Sequence, residues 1–434
     1  LAKSVTILNV KNTNLRLVII CAVAASVGLS MALISIAKLL LLLCGLAVLV
    51  QALRHEPIKL PPVLLGKATP IAIMLALAAF AISLIWTIAP MAQALGALSK
   101  YGKLLIIIFI LCLLRSRREA LIAIAWFAAA QLFLVLSAWA LYLGLSVPWA
   151  TSRMAIPEHA VFSSYLDQGI ISAVFALLCW HLRSLMPGKY GPSLAIGAGL
   201  LALGSVLFVL NGRSGHVVAI VLLSLAVMWE LPKRFRALVV LLPFLIAALL
   251  FATSPKVRER MSAVSSEVQA YSSAVQSTSS SGVRLGMWRY AALMIEQHPL
   301  IGLGVGSWQK EFENMQRADG LTGERVQATN NPHQEYLIWG VQLGVPGLLL
   351  FLAFMLSMLR DSLPMAEKYR RAVQTCVTGF AVACLFNASL FDGLIGDFFC
   401  VSFGLVLALG ANYKVTDTRP SAVEPPQAPK LMTA

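Results

Sequence analysis

The sequence predicts an all-α polytopic membrane protein with about twelve transmembrane helices. Three observations carry that expectation. Of the 434 residues, 59% are apolar and only 12% charged, and the mean hydropathy is +0.81. A soluble domain needs about 25% charged residues to coat its surface, so a soluble enzyme is excluded. Apolar runs of helix-spanning length recur between charged or Pro/Gly punctuation. Basic residues gather in alternate loops, which fixes orientation.

The runs lie near 15–31, 34–53, 69–87, 94–114, 119–145, 162–182, 194–210, 215–231, 236–253, 334–359, 372–390 and 395–412. The first two share one apolar stretch and read as a short hairpin, an anchor and not a cleaved leader. With the N-terminus inside, the cytoplasmic loops hold Arg54/Lys59/Lys67, Arg115/Arg117/Arg118, Arg183/Lys189, Lys233/Arg234/Arg236 and Arg360/Lys368/Arg370/Arg371. The short opposite loops 88–93, 211–214 and 391–394 contain a single arginine. That bias predicts both termini in the cytoplasm. The balance of 34 basic to 19 acidic residues, +15 in all, is then a topology signal and points to no nucleic-acid partner.

Residues 1–253 therefore read as spans one to nine, 254–332 as a polar helical insertion on the outer face, 333–412 as spans ten to twelve, and 413–434 as a disordered cytoplasmic tail. Within the insertion, Val257, Met261, Val264, Val268, Tyr271 and Val275 mark an amphipathic helix. A Ser/Thr/Gly hinge from Ser277 to Gly282 precedes a second helix, Val283 to Gln297, which His298-Pro299 ends. Gly302, Gly304 and Gly306 follow. They imitate a dinucleotide loop, but no strand precedes them, and a tight turn is the better reading.

Polar residues at the membrane boundary are the informative ones, because burying them is costly without a partner or a function. His333 follows Asn330-Asn331-Pro332 at the mouth of span ten. Pro332 suits a helix start, which places the histidine on the first turn. There the helix dipole would favour the neutral imidazole, a base for a hydroxyl nucleophile. Arg213, in the Asn211-Gly212-Arg213-Ser214-Gly215 turn, defies the positive-inside rule and is a candidate for binding an anion. Arg284, just after the hinge, adds a guanidinium to a helix N-terminus, and both favour phosphate. Arg289, five residues on, points about 140° away and reads as a structural ion pair or a lesser diphosphate contact. Asp167, Asp392 and Asp397 are candidates to orient His333, or else to pair with the arginines. Gln334 adjoins His333, and His159, beside Glu158, is a candidate acceptor contact. No Asp-x-Asp pair occurs and no metal site is expected. The seven cysteines lie in or beside apolar runs, without a disulfide or metal pattern.

These residues together resemble the bacterial O-antigen ligases, of the superfamily that also holds O-antigen polymerases and protein O-oligosaccharyltransferases. The resemblance covers nearly the whole chain. Its sharpest element is His333, ten residues, then Gly344-Val345-Pro346-Gly347. Arg213 in its Arg-Ser-Gly turn matches as well. So does Arg284 before Trp288 and the His298-Pro299-Leu300-Ile301-Gly302-Leu303-Gly304 run. Gln334 stands where many relatives have Asn.

The resemblance implies a GT-C-like inverting glycosyltransferase of the bacterial inner membrane, active at its periplasmic face without cofactor or metal. It would move O-antigen glycan from undecaprenyl diphosphate to lipid A-core. His333 would be the base, with Arg213 and Arg284 on the diphosphate. A polymerase usually has two sizeable basic periplasmic loops, and this sequence has one whose charges nearly cancel. A protein oligosaccharyltransferase typically carries further C-terminal sequence. A transporter of lipid-linked glycan predicts internal repeats and charged residues at mid-membrane, and no convincing repeat is found.

Overall fold

A computed structural model describes residues 13–54, 67–232, 234–235, 241–253, 280–323 and 326–411. Among these residues every regular element is helical. In chain order they are α1 (Thr13–Ser26), α2 (Met31–Arg54), α3 (Ala68–Ile82), α4 (Met91–Tyr101), α5 (Leu105–Leu113), α6 (Arg117–Tyr142), the single turn α7 (Ala155–Glu158), α8 (Tyr165–Leu182), α9 (Gly191–Gly204), α10 (Arg213–Glu230), α11 (Leu242–Thr253), α12 (Ser280–Gln297), α13 (Trp308–Ala318), α14 (Glu335–Ser362), α15 (Glu367–Ala383) and α16 (Gly393–Gly410). The predicted amphipathic helix, and the tail from 413, lie outside the described residues.

Nine helical segments among the described residues are long and apolar enough to cross a membrane, fewer than the twelve expected. Helix is present in all twelve predicted runs, but three fall short. The first, α1, has 14 residues, and the described part of α11 has 12. The 17 residues of α15 open on Glu367, Lys368, Arg370 and Arg371. Apolar side chains such as Leu33, Ile36, Leu40, Ile71, Met74, Leu352 and Leu356 point outward, as a bilayer permits and water does not. The opposite extreme is α16, buried at every residue from Leu394 to Gly410. It forms the axis of the bundle, as a helix apolar all round should. The chain is a multi-pass membrane protein.

Local signals set several helix ends. Ser116 accepts from Glu119 N at 3.2 Å, and Ser164 from Asp167 N at 3.1 Å, satisfying otherwise orphaned amides. Asp361, near the end of α14, accepts from Ala68 N and Thr69 N, both at 2.9 Å, and so caps α3 across the bundle. The charged pair Arg16–Glu119, at 2.7 Å, joins α1 to α6.

The run predicted at 334–359 is helical but not one continuous helix. Gly344 has φ 69°, a left-handed conformation that suits glycine, and Pro346 lacks the N–H that the carbonyl of Gln342 would need. An unbroken helix would separate residues 336 and 351 by about 22 Å. Instead the Tyr336 and Phe351 rings lie 5.0 Å apart, as do those of Trp339 and Phe351. The stretch Glu335–Leu343 therefore folds back along Val345–Ser362. Phe80 and Tyr101, stacked at 4.0 Å, meet the Trp339 ring edge-on and hold the returned half against α3 and α4.

The carbonyls freed by the break are met by the loop after α12. Leu303 N donates to Val341 O and Gly304 N to Gln342 O, both at 2.9 Å, and Val345 N turns to Pro299 O at 2.7 Å. Gly306 N reaches Gln342 Oε1 at 2.8 Å, and that side chain donates to Tyr101 Oη at 3.0 Å. Gly302-Leu303-Gly304-Val305-Gly306 is thus a turn, as expected, and its glycines allow backbone to lie on backbone. A Cβ at Gly302 would stand 2.6 Å from Leu343 N. A small apolar cluster of Met287, Ala291, Met294, Leu303, Trp308, Phe312 and Val341 packs α12 and α13 onto the returned half of α14.

Gly344→Ala should cost at least about 2 kcal/mol, from the positive φ and from overlap with the Pro299 carbonyl. Gly286→Ala, whose Cβ would meet nothing within 4 Å, should be neutral or stabilising. Thermal unfolding of the two variants in one detergent checks this, and equal Tm values would contradict the role of the break.

Candidate active site

His333 does not sit on the first helical turn, as the sequence suggested. Helix α14 begins at Glu335 with Gln334 as its N-cap, and His333 precedes both in a left-handed conformation, φ 52°. Such a φ is uncommon outside glycine and persists only where neighbours impose it. Two contacts do so here. Asn331 Oδ1 accepts from His333 N at 2.8 Å. Pro332 O accepts from Trp288 Nε1 at 3.1 Å. Trp288 lies one turn after Arg284 on α12, so the contact that fixes the histidine loop also sets its distance from that arginine.

Arg284 is half-buried, and burial is the main cause of its lowered pKa. Arg213 adds to the lowering, while Tyr165 and Asp392 oppose it. Those three groups open α10, open α8 and precede α16. The heads of three helices thus lie within electrostatic range of Arg284, which in turn acts on His333. Gly169 and Gly215 let α8 and α10 touch closely, since a Cβ on Gly215 would stand 2.9 Å from Gly169 backbone. Helix α9 ends in a π-type turn, Ser205–Val209, which carries the chain into Asn211 and Arg213. Asn211 donates to Glu158, tying this corner to the end of α7. Helix is already present at Ser280–Gly282, where a hinge was expected. Arg284 therefore lies in the second described turn, away from the first-turn amides.

Burial lowers the His333 pKa, and the positive charge of Arg284 lowers it further. The neutral imidazole is favoured as expected, but by these causes and not by a helix terminus. No carboxylate bonds its ring among the described residues. Asp392 acts one step away: Asn331, which holds the His333 amide, donates to Asp392 Oδ1 at 3.3 Å. Burial pushes the Asp392 carboxyl up to about 6, with Lys103 and Lys100 pulling downward.

The other candidates separate. Asp167 accepts from Asn387 Nδ2 at 3.1 Å, joining the head of α8 to the loop after α15. Asp397 pairs with Lys38 of α2 at 2.6 Å and does not contact His333. Arg289 is exposed and forms no ion pair among the described residues, contrary to the structural pair expected. The Gln334 Oε1 atom is buried without a partner, beside the histidine. His159 packs edge-on against Tyr142 at 5.5 Å. Among the described residues no three His, Cys, Asp or Glu side chains gather.

Sequence reading missed Glu335, Asn331 and Trp288. Glu335 is fully buried and accepts from Leu390 N at 2.8 Å, Phe391 N at 3.2 Å and Trp339 Nε1 at 2.9 Å. It fixes the loop that presents Asp392. Its signal was a carboxylate two residues after the histidine in an apolar run, where an ionisable group implies a partner or a function.

Site-resolved labelling with diethylpyrocarbonate, which modifies neutral imidazole, should place the His333 midpoint below the ordinary 6.5. Arg284→Gln removes one of the two lowering causes, so the midpoint should rise toward 6.5 while burial keeps it below. An unchanged midpoint would contradict the Arg284–His333 proximity.

Residues 198–352 match the O-antigen ligase family model. The matched stretch runs from α9 into α14 and includes Arg213, Arg284, His333 and Gly344. This match, over less than half of the chain, supports the O-antigen ligase superfamily. No curated protein matches the chain.

Proposed function

We propose that this protein is an O-antigen ligase: an inverting, metal-independent transferase that moves O-antigen glycan from undecaprenyl diphosphate to a sugar hydroxyl of lipid A-core. Its setting would be the periplasmic face of the bacterial inner membrane, in a GT-C-like frame with both termini cytoplasmic. One observation carries the reading. Two arginines in mutual electrostatic range converge, half-buried, beside a histidine held in its neutral form. Two guanidinium groups within range of each other can both bind one anion, and a diphosphate is such an anion.

In this reading the acceptor hydroxyl oxygen attacks the anomeric carbon from the face opposite the diphosphate. The bond from that carbon to the phosphate oxygen breaks, and undecaprenyl diphosphate departs with the electron pair. His333 takes the hydroxyl proton. Its left-handed backbone, fixed by Asn331, aims the imidazole. Arg213 and Arg284 stabilise the charge that grows on the leaving diphosphate. The lipid-attached leaving group removes any need for a nucleotide sugar.

Reconstituted protein should lengthen lipid A-core when given polyprenyl-linked glycan. His333→Ala should lose about 10²–10⁴-fold in rate and Arg284→Ala about 10²–10³-fold, at matched protein levels. Chelator should leave the wild-type rate unchanged. Parallel reactions with a second lipid-linked glycan, or with a pilin-like protein, separate the alternatives. Product on those acceptors alone would assign a polymerase or a protein oligosaccharyltransferase. Near-full transfer by either variant would refute the mechanism.

A further inference from the structure

A groove of about 500 Å³ opens beside the candidate active site, between α2, the α4–α5 segment and the loop before α16. Its lining is apolar in part, with Leu39, Leu42 and Phe109, and charged in part. The charged part carries Lys38, Lys100, Lys103 and Asp392. The lysines are unequally engaged. Lys38 pairs with Asp397 at 2.6 Å. Lys103 Nζ donates to the backbone carbonyls of Asp392 and Gly393 at 2.5 and 3.5 Å. Lys100 forms no carboxylate ion pair within 4 Å among the described residues, and its ammonium lies 3.7 Å from the centre of the Phe391 ring. Three cations thus face two carboxylates at a partly apolar groove in a membrane bundle, where uncompensated charge is costly.

We propose that this groove is a polyprenyl-phosphate site, distinct from the arginine pair, in which the lipid carrier rests with its phosphate on Lys100 and its isoprenoid chain against Leu39, Leu42 and Phe109. Charge complementarity fixes the head, because a phosphate balances the excess of three lysines over Asp392 and Asp397. The apolar lining fixes the tail, since Leu39, Leu42 and Phe109 offer hydrocarbon contact to the chain nearest the head. The choice of an isoprenoid rests on the lipid-linked donor of the proposed function; the demand for an anionic lipid rests on the groove alone. Asp392 lines this groove and also bonds Asn331, so the occupant contacts the loop that holds His333.

Native mass spectrometry of the full chain, titrated with undecaprenyl phosphate, tests the site without any transfer reaction. Wild-type protein should retain the lipid, and Lys100→Glu and Leu42→Trp should each weaken it about tenfold, or about 1.4 kcal/mol. Lys100→Arg should bind nearly as wild type. Should Lys100→Glu fail to elute as folded protein, Leu42→Trp and a photoactivatable lipid labelling Leu39–Phe109 decide the matter. An Arg213→Ala/Arg284→Ala double variant should keep the lipid. Equal retention by the groove variants would overturn the proposal. So would loss confined to the arginine variant, or equal competition by phosphatidylglycerol, which would mark a general anionic-lipid contact. Because no glycan is transferred, failure of the ligase reading leaves this result interpretable.

Discussion

The arrangement of this protein depends on the broken backbone of α14. A chain at membrane depth must satisfy its own N–H and C=O groups, and the break at Gly344 and Pro346 leaves the carbonyls of Val341 and Gln342 without helical partners. The amides of Leu303 and Gly304 meet them. That exchange fastens the loop after α12 to α14 and turns Glu335–Leu343 back along its own helix. Trp339 then seats among Phe80, Tyr101 and Phe351. His333 arrives beside α12 because the half-helix that follows it is returned and anchored there.

The second organising feature is how charge is spent. Two groups of basic side chains stand apart from the runs between the apolar helices. Arg284 lies within electrostatic range of both Arg213 and His333, while Lys38, Lys100 and Lys103 line a groove that Asp392 also borders. Asp392 stands between them, within the field of Arg284 and of both Lys100 and Lys103. It bonds Asn331, which in turn bonds the His333 amide, and makes no hydrogen bond to the ring among the described residues.

Much of this was legible in the sequence because it is local. Hydropathy located the helical runs, and the order of Arg213, Arg284, His333 and Gly344 was visible directly. The five-residue spacing alone predicted that Arg289 would point away from Arg284. What remained hidden was nonlocal. Hydropathy is blind to direction, so a span that doubles back reads like one that crosses. Gly344-Val345-Pro346 within an apolar run was the available sign of the break. The choice among Asp167, Asp392 and Asp397 needed the positions of Asn387, Asn331 and Lys38, each far away in sequence. Pro332 suggested a helix start too early because the capping of this loop lies in Asn331, one residue before it.

The most direct test of the central claim is an electron cryomicroscopy map of the full chain with a non-transferable polyprenyl-diphosphate glycan bound. Diphosphate density should lie between Arg213 and Arg284, with the anomeric carbon facing the His333 imidazole. Diphosphate density at the opposite end of the bundle, or beside Arg289, would contradict it.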